Sequence, residues 1–282
     1  MGHRIAIISN VMPLVDPLAE RLRELGHEPV AWLLARRAGE GRPPPPWGEA
    51  SDSTGPQGLS ILLAQDTDAV ALLLSGLDLD VTLCWGFSWR LPQEALDVPR
   101  LGSVNQHPGR LPRHRGPYPM AWALRDGDDV FGVTWHRMDA DYDTGPILAE
   151  ATVPIEDADT TIEQIGVKML PAALGLLPRV FERLDAGDPG DSQSEDGAGW
   201  AGAFDEDYAS IDWAQPAVTI HDQVRAWYLT FGSAKVPGPI AELDGERMKL
   251  LRTSLTDPGE GARAVECGDG RLWIVEAEPV AT

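Results

Sequence analysis

The first 34 residues carry a β-α-β pattern. Residues 4–9 (RIAIIS) form a short, β-branched apolar run, typical of a strand buried in a parallel sheet. Residues 14–25 follow with apolar positions at helical spacing and end before Gly26, the residue type favoured just after a helix. Residues 29–34 (PVAWLL) return to strand character. Such units build parallel sheets with right-handed crossovers, so the pattern predicts an α/β domain.

The alternation continues beyond a proline-rich interruption. Residues 36–60 contain four consecutive prolines and several glycines, which predicts a long loop or a flap near a site. The longest helical stretch covers residues 160–184, and Pro171 and Pro178 are expected to kink or divide it. Further helices are predicted at residues 64–74 and 119–125, and further strands at residues 80–85, 101–105 and 132–138.

A change of composition divides the chain. Residues 186–204 are rich in Gly, Ser and Asp, which predicts a linker between a domain at residues 1–185 and a second one at residues 205–282. In the second domain, Asp244-Gly245 and Asp269-Gly270 are pairs that close β-hairpins. Its short apolar runs predict strands at residues 240–243, 248–251, 264–267 and 272–275, with one helix at residues 219–228. The pattern therefore indicates a small β-rich domain.

Composition and charge narrow the classes of protein. The 282 residues include 44 Asp and Glu against 23 Lys and Arg, a net charge of −21 that repels phosphates and anionic lipids. No stretch approaches the ~20 apolar residues needed to span a bilayer, and the start lacks the features of a signal peptide. The two cysteines, Cys84 and Cys267, exclude a disulfide framework or a zinc cluster. We expect a cytoplasmic protein with no membrane partner.

The candidate chemistry lies between residues 105 and 145. Asn105 and His107 are two residues apart at the end of a predicted strand, so their side chains point to the same side. Open α/β sheets bind ligands at such strand ends, and Asp143 lies in an acidic turn after a later strand. An amide, an imidazole and a carboxylate together can stabilise an oxyanion and move a proton. Spacing alone is equally typical of a turn former, a structural histidine and a solvated loop, and we expect His136 to be packed rather than reactive.

The order of residues in this segment is similar to that of the folate-dependent formyltransferase family. The family's Asn-x-His is present at residues 105–107, and its leucine-proline-Arg-x-Arg-Gly at residues 111–116. Its Val-Thr strand corresponds to residues 133–134, and its Met-Asp…Asp-Thr-Gly turn to residues 138–145. Weaker likeness extends over most of the chain, including the tail, where Ile211-Asp212-Trp213 follows the family's order.

The resemblance implies both a fold and a reaction. The implied fold is a Rossmann-like domain with a mainly parallel sheet, followed by a small OB-like barrel. The implied reaction moves a formyl group from 10-formyltetrahydrofolate, which leaves as tetrahydrofolate, to an amine, without a metal. Asn105, His107 and Asp143 would be the catalytic residues. Asn105 and a protonated His107 would stabilise the oxyanion of a tetrahedral intermediate, and Asp143 would raise the pKa of His107.

The resemblance also implies binding residues. The acceptor is expected near Asn10, Arg113 and Arg115, although the loop at Asn10 lacks the Gly-rich pattern frequent in the family. A flat pterin suits an apolar slot with a few fixed polar groups, although core packing explains the aromatic residues equally well. The residues expected to contact the folate are Trp85, Gly86, Phe87, Ser88, Trp89, Arg90, Leu91, Asp139, Ala140 and Asp141.

Charge favours a small amine over tRNA as the acceptor. Residues 1–185 hold 16 basic against 26 acidic residues, and residues 186–282 hold 7 against 18. Binding of tRNA draws much of its affinity from counterion release at phosphates, which needs a basic face. We therefore expect an N-formyltransferase for an amino sugar, amino acid or hydroxylamine, with a methionyl-tRNA formyltransferase as the alternative. A Rossmann dehydrogenase is disfavoured because no G-x-G-x-x-G follows the first strand.

Overall fold

The structure, a computed structural model, describes residues 2–35, 58–230 and 238–280. It divides into two compact units. The first unit comprises Met1–Gly116, Gly132–Val153 and Met169–Trp200, and the second comprises Pro117–Phe131, Pro154–Lys168 and Ala201–Thr282. The loop predicted at residues 36–60 falls, for residues 36–57, outside the described ranges.

A seven-stranded sheet runs through the first unit. Its strands are β1 (Arg4–Ile8), β2 (Glu28–Ala35), β3 (Ser60–Ala64), β4 (Val81–Trp85), β5 (Ser103–His107), β6 (Val130–Arg137) and β7 (Ile147–Pro154). Their order across the sheet is β3-β2-β1-β4-β5-β6-β7. The neighbours from β3 to β5 are parallel, whereas β6 is antiparallel to β5. Strands β1 and β4 are near-continuous apolar runs in the sequence, and they are buried along almost their whole length, as is typical of strands inside a parallel sheet.

Six α-helices accompany the strands in the described part of the chain. They are α1 (Met12–Glu24), α2 (Thr67–Ser75), α3 (Gln93–Leu96), α4 (Pro119–Arg125), α5 (Ile162–Asp185) and α6 (Ala217–Tyr228). The apolar stripe of α1 is buried, and Gly26 just beyond its end has the positive φ, 83°, that glycine adopts without strain. None of the helices in the described ranges has the length and apolar character needed to cross a bilayer.

Two strands of the first sheet are absent from the sequence prediction. The prediction starts a helix at residue 64, but residues 60–64 form β3 and the helix begins only after Asp66, whose side chain accepts a hydrogen bond from the Ala69 N–H. The apolar residues of β3 and α2 follow one another closely, so periodicity alone merges them. The second missing strand is β7, at the edge of the sheet.

Helix α5 is continuous although it contains Pro171 and Pro178. Both prolines lie on the exposed side of the helix, seven residues apart. The opposite side is a buried apolar stripe made of Ile165, Met169, Ala173, Leu177, Val180 and Leu184. The burial of this stripe offsets the two missing backbone hydrogen bonds, so the expected division of the helix is wrong.

The second unit contains a four-stranded antiparallel sheet. Its strands are β8 (Ile240–Leu243), β9 (Glu246–Ser254), β10 (Arg263–Cys267) and β11 (Gly270–Pro279), in the order β10-β11-β9-β8. Asp244 and Gly245 close the first hairpin as predicted, and both have the positive φ of a type I′ turn. The last hairpin closes one residue earlier than predicted, because Cys267 pairs with Gly270. The predicted fold class, a mainly parallel α/β sheet followed by a small β-rich domain, is confirmed.

Candidate active site

The structure brings Asn105, His107 and Asp143 together. Asn105 Nδ2 lies 3.3 Å from Asp143 Oδ1, and His107 Nδ1 lies 3.5 Å from Asp143 Oδ2. Asn105 and His107 come from the carboxyl half of β5, and Asp143 comes from the loop between β6 and β7. Because β6 is antiparallel to β5, its last residue, Arg137, pairs with Val104. The loop after β6 therefore turns back along β5 to bring the carboxylate to the site.

Hydrogen bonds from two segments hold Asp143 in place. The Gly116 N–H donates to Asp143 Oδ2 at 2.8 Å, and Gln193 Nε2 donates to the carbonyl oxygens of Asp143 and Gly145, each at 2.8 Å. Asp143 has a φ of 58°, in the left-handed region, where a residue other than glycine is held only by its surroundings. At Gly145 a Cβ would lie 1.9 Å from the carbonyl oxygen of Arg137, so only glycine fits there.

For both Asp143 and His107, burial and the charge of the other group shift the pKa in opposite senses. Burial raises the pKa of Asp143, but His107, His136 and the Gly116 N–H together hold it well below its usual range. Burial lowers the pKa of His107, which outweighs the opposite effect of Asp143, and His136 lowers the pKa further. Asp143 raises the pKa of His107 as expected, but the expected net rise above the usual value is wrong, because the ring is 3% exposed and its charged form is poorly solvated.

Both ring nitrogens of His107 face hydrogen-bond acceptors. His107 Nε2 lies 2.9 Å from the carbonyl oxygen of His114, and Nδ1 faces the Asp143 carboxylate. A carbonyl oxygen only accepts, so Nε2 carries a proton, and Nδ1 is the nitrogen that gains or loses one. This geometry places the titrating nitrogen of His107 against Asp143.

His136 is a member of the site that sequence reasoning missed. Its ring is buried, with Nδ1 2.8 Å from the carbonyl oxygen of Arg137, and Nε2 3.2 Å from Asn105 Nδ2 and 3.4 Å from Asp143 Oδ1. His136 lies directly opposite Asn105 in the antiparallel pair, and opposite residues share one face of a sheet. The direction of β6 was the signal that would have identified it. Gln193 was also missed, because it lies in a stretch with the composition of a linker.

The two segments predicted to bind folate meet at one place. Arg90 Nη2 lies 3.5 Å from Asp141 Oδ1, and both side chains are exposed. In the first segment, Trp85 and Leu91 are buried, Phe87, Ser88 and Trp89 are half-buried and Gly86 is exposed. In the second segment, Asp139, Ala140 and Asp141 are exposed, and Asp139 Oδ1 accepts hydrogen bonds from the Asp141 N–H and from Thr144 Oγ1.

The three residues predicted to bind the acceptor have different surroundings. Asn10 Oδ1 accepts a hydrogen bond from the Ala35 N–H at 2.8 Å, at the end of β2. Arg115 is nearly buried, donates to Gln193 Oε1 at 3.0 Å and pairs with Glu195 at 3.2 Å. Arg113 is half-buried. Among the described residues, no group of three or more His, Cys, Asp or Glu side chains is placed to hold a metal ion.

A mainly parallel sheet with polar side chains clustered at the carboxyl half of β5 is the arrangement in which α/β enzymes bind their ligands. Residues 62–181 match the family described as Formyl transferase, and residues 205–281 match its C-terminal domain. The chain belongs to the formyltransferase family, and it is an enzyme that transfers formyl groups. The family and reaction class predicted from the sequence are confirmed.

The similarity to relatives and to solved structures extends over nearly the whole chain. The methionyl-tRNA formyltransferase of Ruegeria pomeroyi is 34% identical over 284 residues, covering 93% of this chain and 88% of the relative. HypX from Aquifex aeolicus, solved with tetrahydrofolic acid, has a TM-score of 0.67 at 20% identity, over 99% of this chain and 44% of that one. The N-formyltransferase of Helicobacter canadensis, solved with folinic acid and dTDP-3-aminofucose, has a TM-score of 0.66 at 16% identity over 99% and 100% of the two chains. The predicted donor, 10-formyltetrahydrofolate, is confirmed as that of the family.

The comparisons contradict the predicted small-molecule acceptor. The Ruegeria pomeroyi relative, matched over 93% of this chain and 88% of its own length, acts, by its name, on methionyl-tRNA, and this overturns the expectation that tRNA is disfavoured. The prediction failed because it used the net charge of whole domains, whereas contact with a nucleic acid depends on the local surface. A local patch of arginines at residues 36–42 and 110–115 could still contact tRNA. Arg110 is exposed, Arg113 is half-buried, Arg115 is paired with Glu195, and Arg36, Arg37 and Arg42 lie outside the described residues.

Proposed function

We propose that this protein transfers the formyl group of 10-formyltetrahydrofolate to the α-amine of methionyl-tRNA. The observation that carries this proposal is the similarity to the methionyl-tRNA formyltransferase of Ruegeria pomeroyi, which extends through both domains and covers 88% of that protein. Solved structures below 25% identity support the fold alone, and the sugar bound in such a structure does not compete with a relative at 34% identity.

The folate fits the segments at residues 85–91 and 139–141. Phe87 and Trp89 lie 5.5 Å apart, with their rings at 68°, and both pack against the buried cluster that contains Leu91. Between them and the buried end of β4, Gly86 has a φ of 68° and keeps its backbone exposed. Half-buried aromatic rings beside accessible backbone groups suit a flat heterocycle, whose bound form supplies the formyl group.

Asn105 stabilises the negative charge that develops on the formyl oxygen. Its Nδ2 already donates within the cluster, to Asp143 Oδ1, with the ring of His136 on its other side. Asp143 holds one of the two N–H groups of this amide, and the second N–H, which faces the His136 ring, is the one that turns to the oxyanion; one such donor contributes about 10²–10³ in rate.

His107 accepts the proton that the attacking amine must lose. Its lowered pKa leaves the ring largely neutral near pH 7, so that Nδ1 is available as a base. The Asp143 carboxylate, 3.5 Å from Nδ1, then stabilises the imidazolium and orients it. The imidazolium gives this proton to the folate nitrogen as the bond between that nitrogen and the formyl carbon breaks, so that tetrahydrofolate leaves. This role differs from the one expected from the sequence, in which His107 is protonated before the reaction begins.

The domains and the cellular location follow from the same proposal. Residues 1–185 contain the folate site and the acceptor amine site, residues 186–204 connect the domains and add Gln193 to the support of Asp143, and residues 205–282 form the C-terminal domain. Charged tRNA is used in translation, so we place the enzyme in the cytoplasm. The two described cysteines, Cys84 and Cys267, are free thiols, as suits a reducing compartment.

A transfer assay tests the acceptor directly. The purified full-length protein is incubated with 10-formyltetrahydrofolate and methionyl initiator tRNA, and the aminoacyl ester is analysed by mass spectrometry for the added formyl group. Methionyl elongator tRNA and a panel of amino sugars and free amino acids are the controls. We expect N-formylmethionyl initiator tRNA as the main product. Formylation of a small amine without any tRNA product would overturn the proposal.

A further inference from the structure

Two aromatic side chains are exposed beside the candidate catalytic carboxylate. Tyr142 is 45% and Trp200 55% exposed, and their rings meet edge to face with centroids 6.0 Å apart. Large aromatic side chains that stay in contact with each other and with solvent are a common feature of binding surfaces.

The backbone fixes this aromatic pair close to the reaction centre. Tyr142 precedes Asp143 in the chain, and the Trp200 indole lies over Gly116, where a Cβ would come within 3.1 Å of three of its ring carbons. Gly116 is the residue whose N–H binds Asp143 Oδ2. The residue before Trp200, Gly199, accepts a hydrogen bond from the Arg115 N–H at 2.9 Å and donates one to the Pro112 carbonyl oxygen at 3.2 Å. Both rings therefore sit at the edge of the site with their backbones held.

We propose that Tyr142 and Trp200 stack on the adenine of the acceptor's terminal nucleotide. This inference rests on the proposed function. In methionyl-tRNA the reactive amine is joined through the methionyl ester to the ribose that carries the terminal adenine, so only a few bonds separate amine and base. When the amine is at Asp143 and His107, the base must lie at the edge of the same site. Exposed aromatic rings at that edge are what an unpaired base stacks on.

The local charge favours stacking over phosphate binding. Asp139, Asp141 and Glu195 are exposed near the aromatic pair, and the carboxylates of Asp141 and Glu195 already engage the guanidinium groups of Arg90 and Arg115, so these arginines are not offered to a phosphate. A base presents a neutral π-face, so stacking needs no positive charge. The pair thus gives an acidic protein a way to hold the end of a tRNA. Tyr142 directly follows Asp141 of the segment predicted for the folate, whereas Trp200 lies over Gly116, so a stack on the folate is an alternative that the test must separate from a stack on the base.

Two small acceptors isolate the contribution of the base. Methionyladenosine, the 3′-ester of methionine with adenosine, carries the terminal nucleoside, and methionine methyl ester carries the same amine without it. The measured quantity is the ratio of kcat/KM for the two acceptors at saturating 10-formyltetrahydrofolate. The ratio cancels any general loss of activity that a substitution causes. The variants are Trp200→Leu, Tyr142→Leu, Trp200→Tyr as a conservative replacement and, as a matched control, Tyr228→Leu, which alters another tyrosine of 46% exposure.

The expected result is a loss of discrimination. We expect Trp200→Leu to lower the ratio by about 5- to 150-fold, the range that stacking of one base contributes, and Tyr142→Leu to lower it less. Trp200→Tyr restores most of the ratio, and Tyr228→Leu leaves it unchanged. An unchanged ratio in Trp200→Leu overturns the proposal, as does a raised KM for the folate with the ratio intact. A wild-type enzyme that fails to formylate methionyl-tRNA overturns the proposed function itself, which separates the two failures.

Discussion

Replacing the carboxylate of Asp143 by an amide tests the electrostatic argument at the site. Asp143→Asn keeps the size of the side chain but removes the charge opposite His107 and places an NH₂ group among the donors of Asn105 and Gly116. The charge of Asp143 raises the pKa of His107, against the lowering by burial and by His136. With that charge gone, we expect the pKa of His107 to fall further below its usual value.

The distance between the Asp143 carboxylate and the His107 ring sets the size of the expected change in kcat. At 3.5 Å, a carboxylate and an imidazolium attract each other by about 5 kcal/mol at an effective dielectric constant of ~20. Burial of the imidazolium offsets part of this attraction. A hundredfold loss of turnover requires only about 2.7 kcal/mol. We therefore expect Asp143→Asn to lower kcat by at least ~100-fold, within the range for groups that support proton transfer.

Two measurements check this prediction. The pKa of His107 is followed by NMR in protein labelled at its six histidines, with His107→Gln assigning the signal. The kcat of the same variant is measured with methionyl-tRNA, and circular dichroism verifies that the variant is folded. A rise in the pKa of His107 in Asp143→Asn, or a kcat within tenfold of wild type, would refute the electrostatic reasoning.

Three further predictions follow from the same contacts. His107→Ala is expected to lower turnover by at least ~100-fold while the circular dichroism spectrum stays unchanged, and near-normal turnover would remove His107 from the mechanism. His136→Leu is expected to raise the pKa of His107, the opposite of Asp143→Asn, since His136 is one of the groups that lower it; the same NMR titration measures the shift, and a fall would contradict the assignment. Gly145→Ala places a Cβ 1.9 Å from the Arg137 carbonyl oxygen and is expected to lower the free energy of unfolding by about 1–3 kcal/mol or more in urea titrations. Its control is Gly76→Ala, at a φ of −84° with nothing within 4 Å of the new methyl group, which is expected to be neutral or slightly stabilising.

Much of the α/β domain was predictable because its signals are local. The buried strands β1 and β4 are continuous apolar runs, and α1 has one apolar stripe, so periodicity identifies each of them. Edge strands such as β3 and β7 carry a weaker pattern. Helix α5 stays continuous because one side of it is a buried apolar stripe. The residues next to each proline do not show this, so a local pattern predicts a break.

The candidate site was only partly predictable, for a different reason. Asn105 and His107 share one strand, and the family's order of residues adds Asp143. His136 and Gln193 reach the same carboxylate through strand direction and a long-range contact, which no local pattern contains. The lowered pKa of His107 depends on burial, and burial is a property of the folded chain.

The hydrogen bonds of Gln193 have a consequence for how the enzyme can be divided. Composition suggests a cut after residue 185, which leaves Asn105, His107 and Asp143 in the shortened chain. That chain would lose Gln193, whose side chain donates hydrogen bonds to the carbonyl oxygens of Asp143 and Gly145. It would also lose the hydrogen bond that Arg115 donates to Gln193 Oε1. A piece that keeps these hydrogen bonds must therefore extend at least through Gln193. An insertion or fusion next to Gln193 would therefore change the active site, although Gln193 lies 50 residues from Asp143 in the sequence.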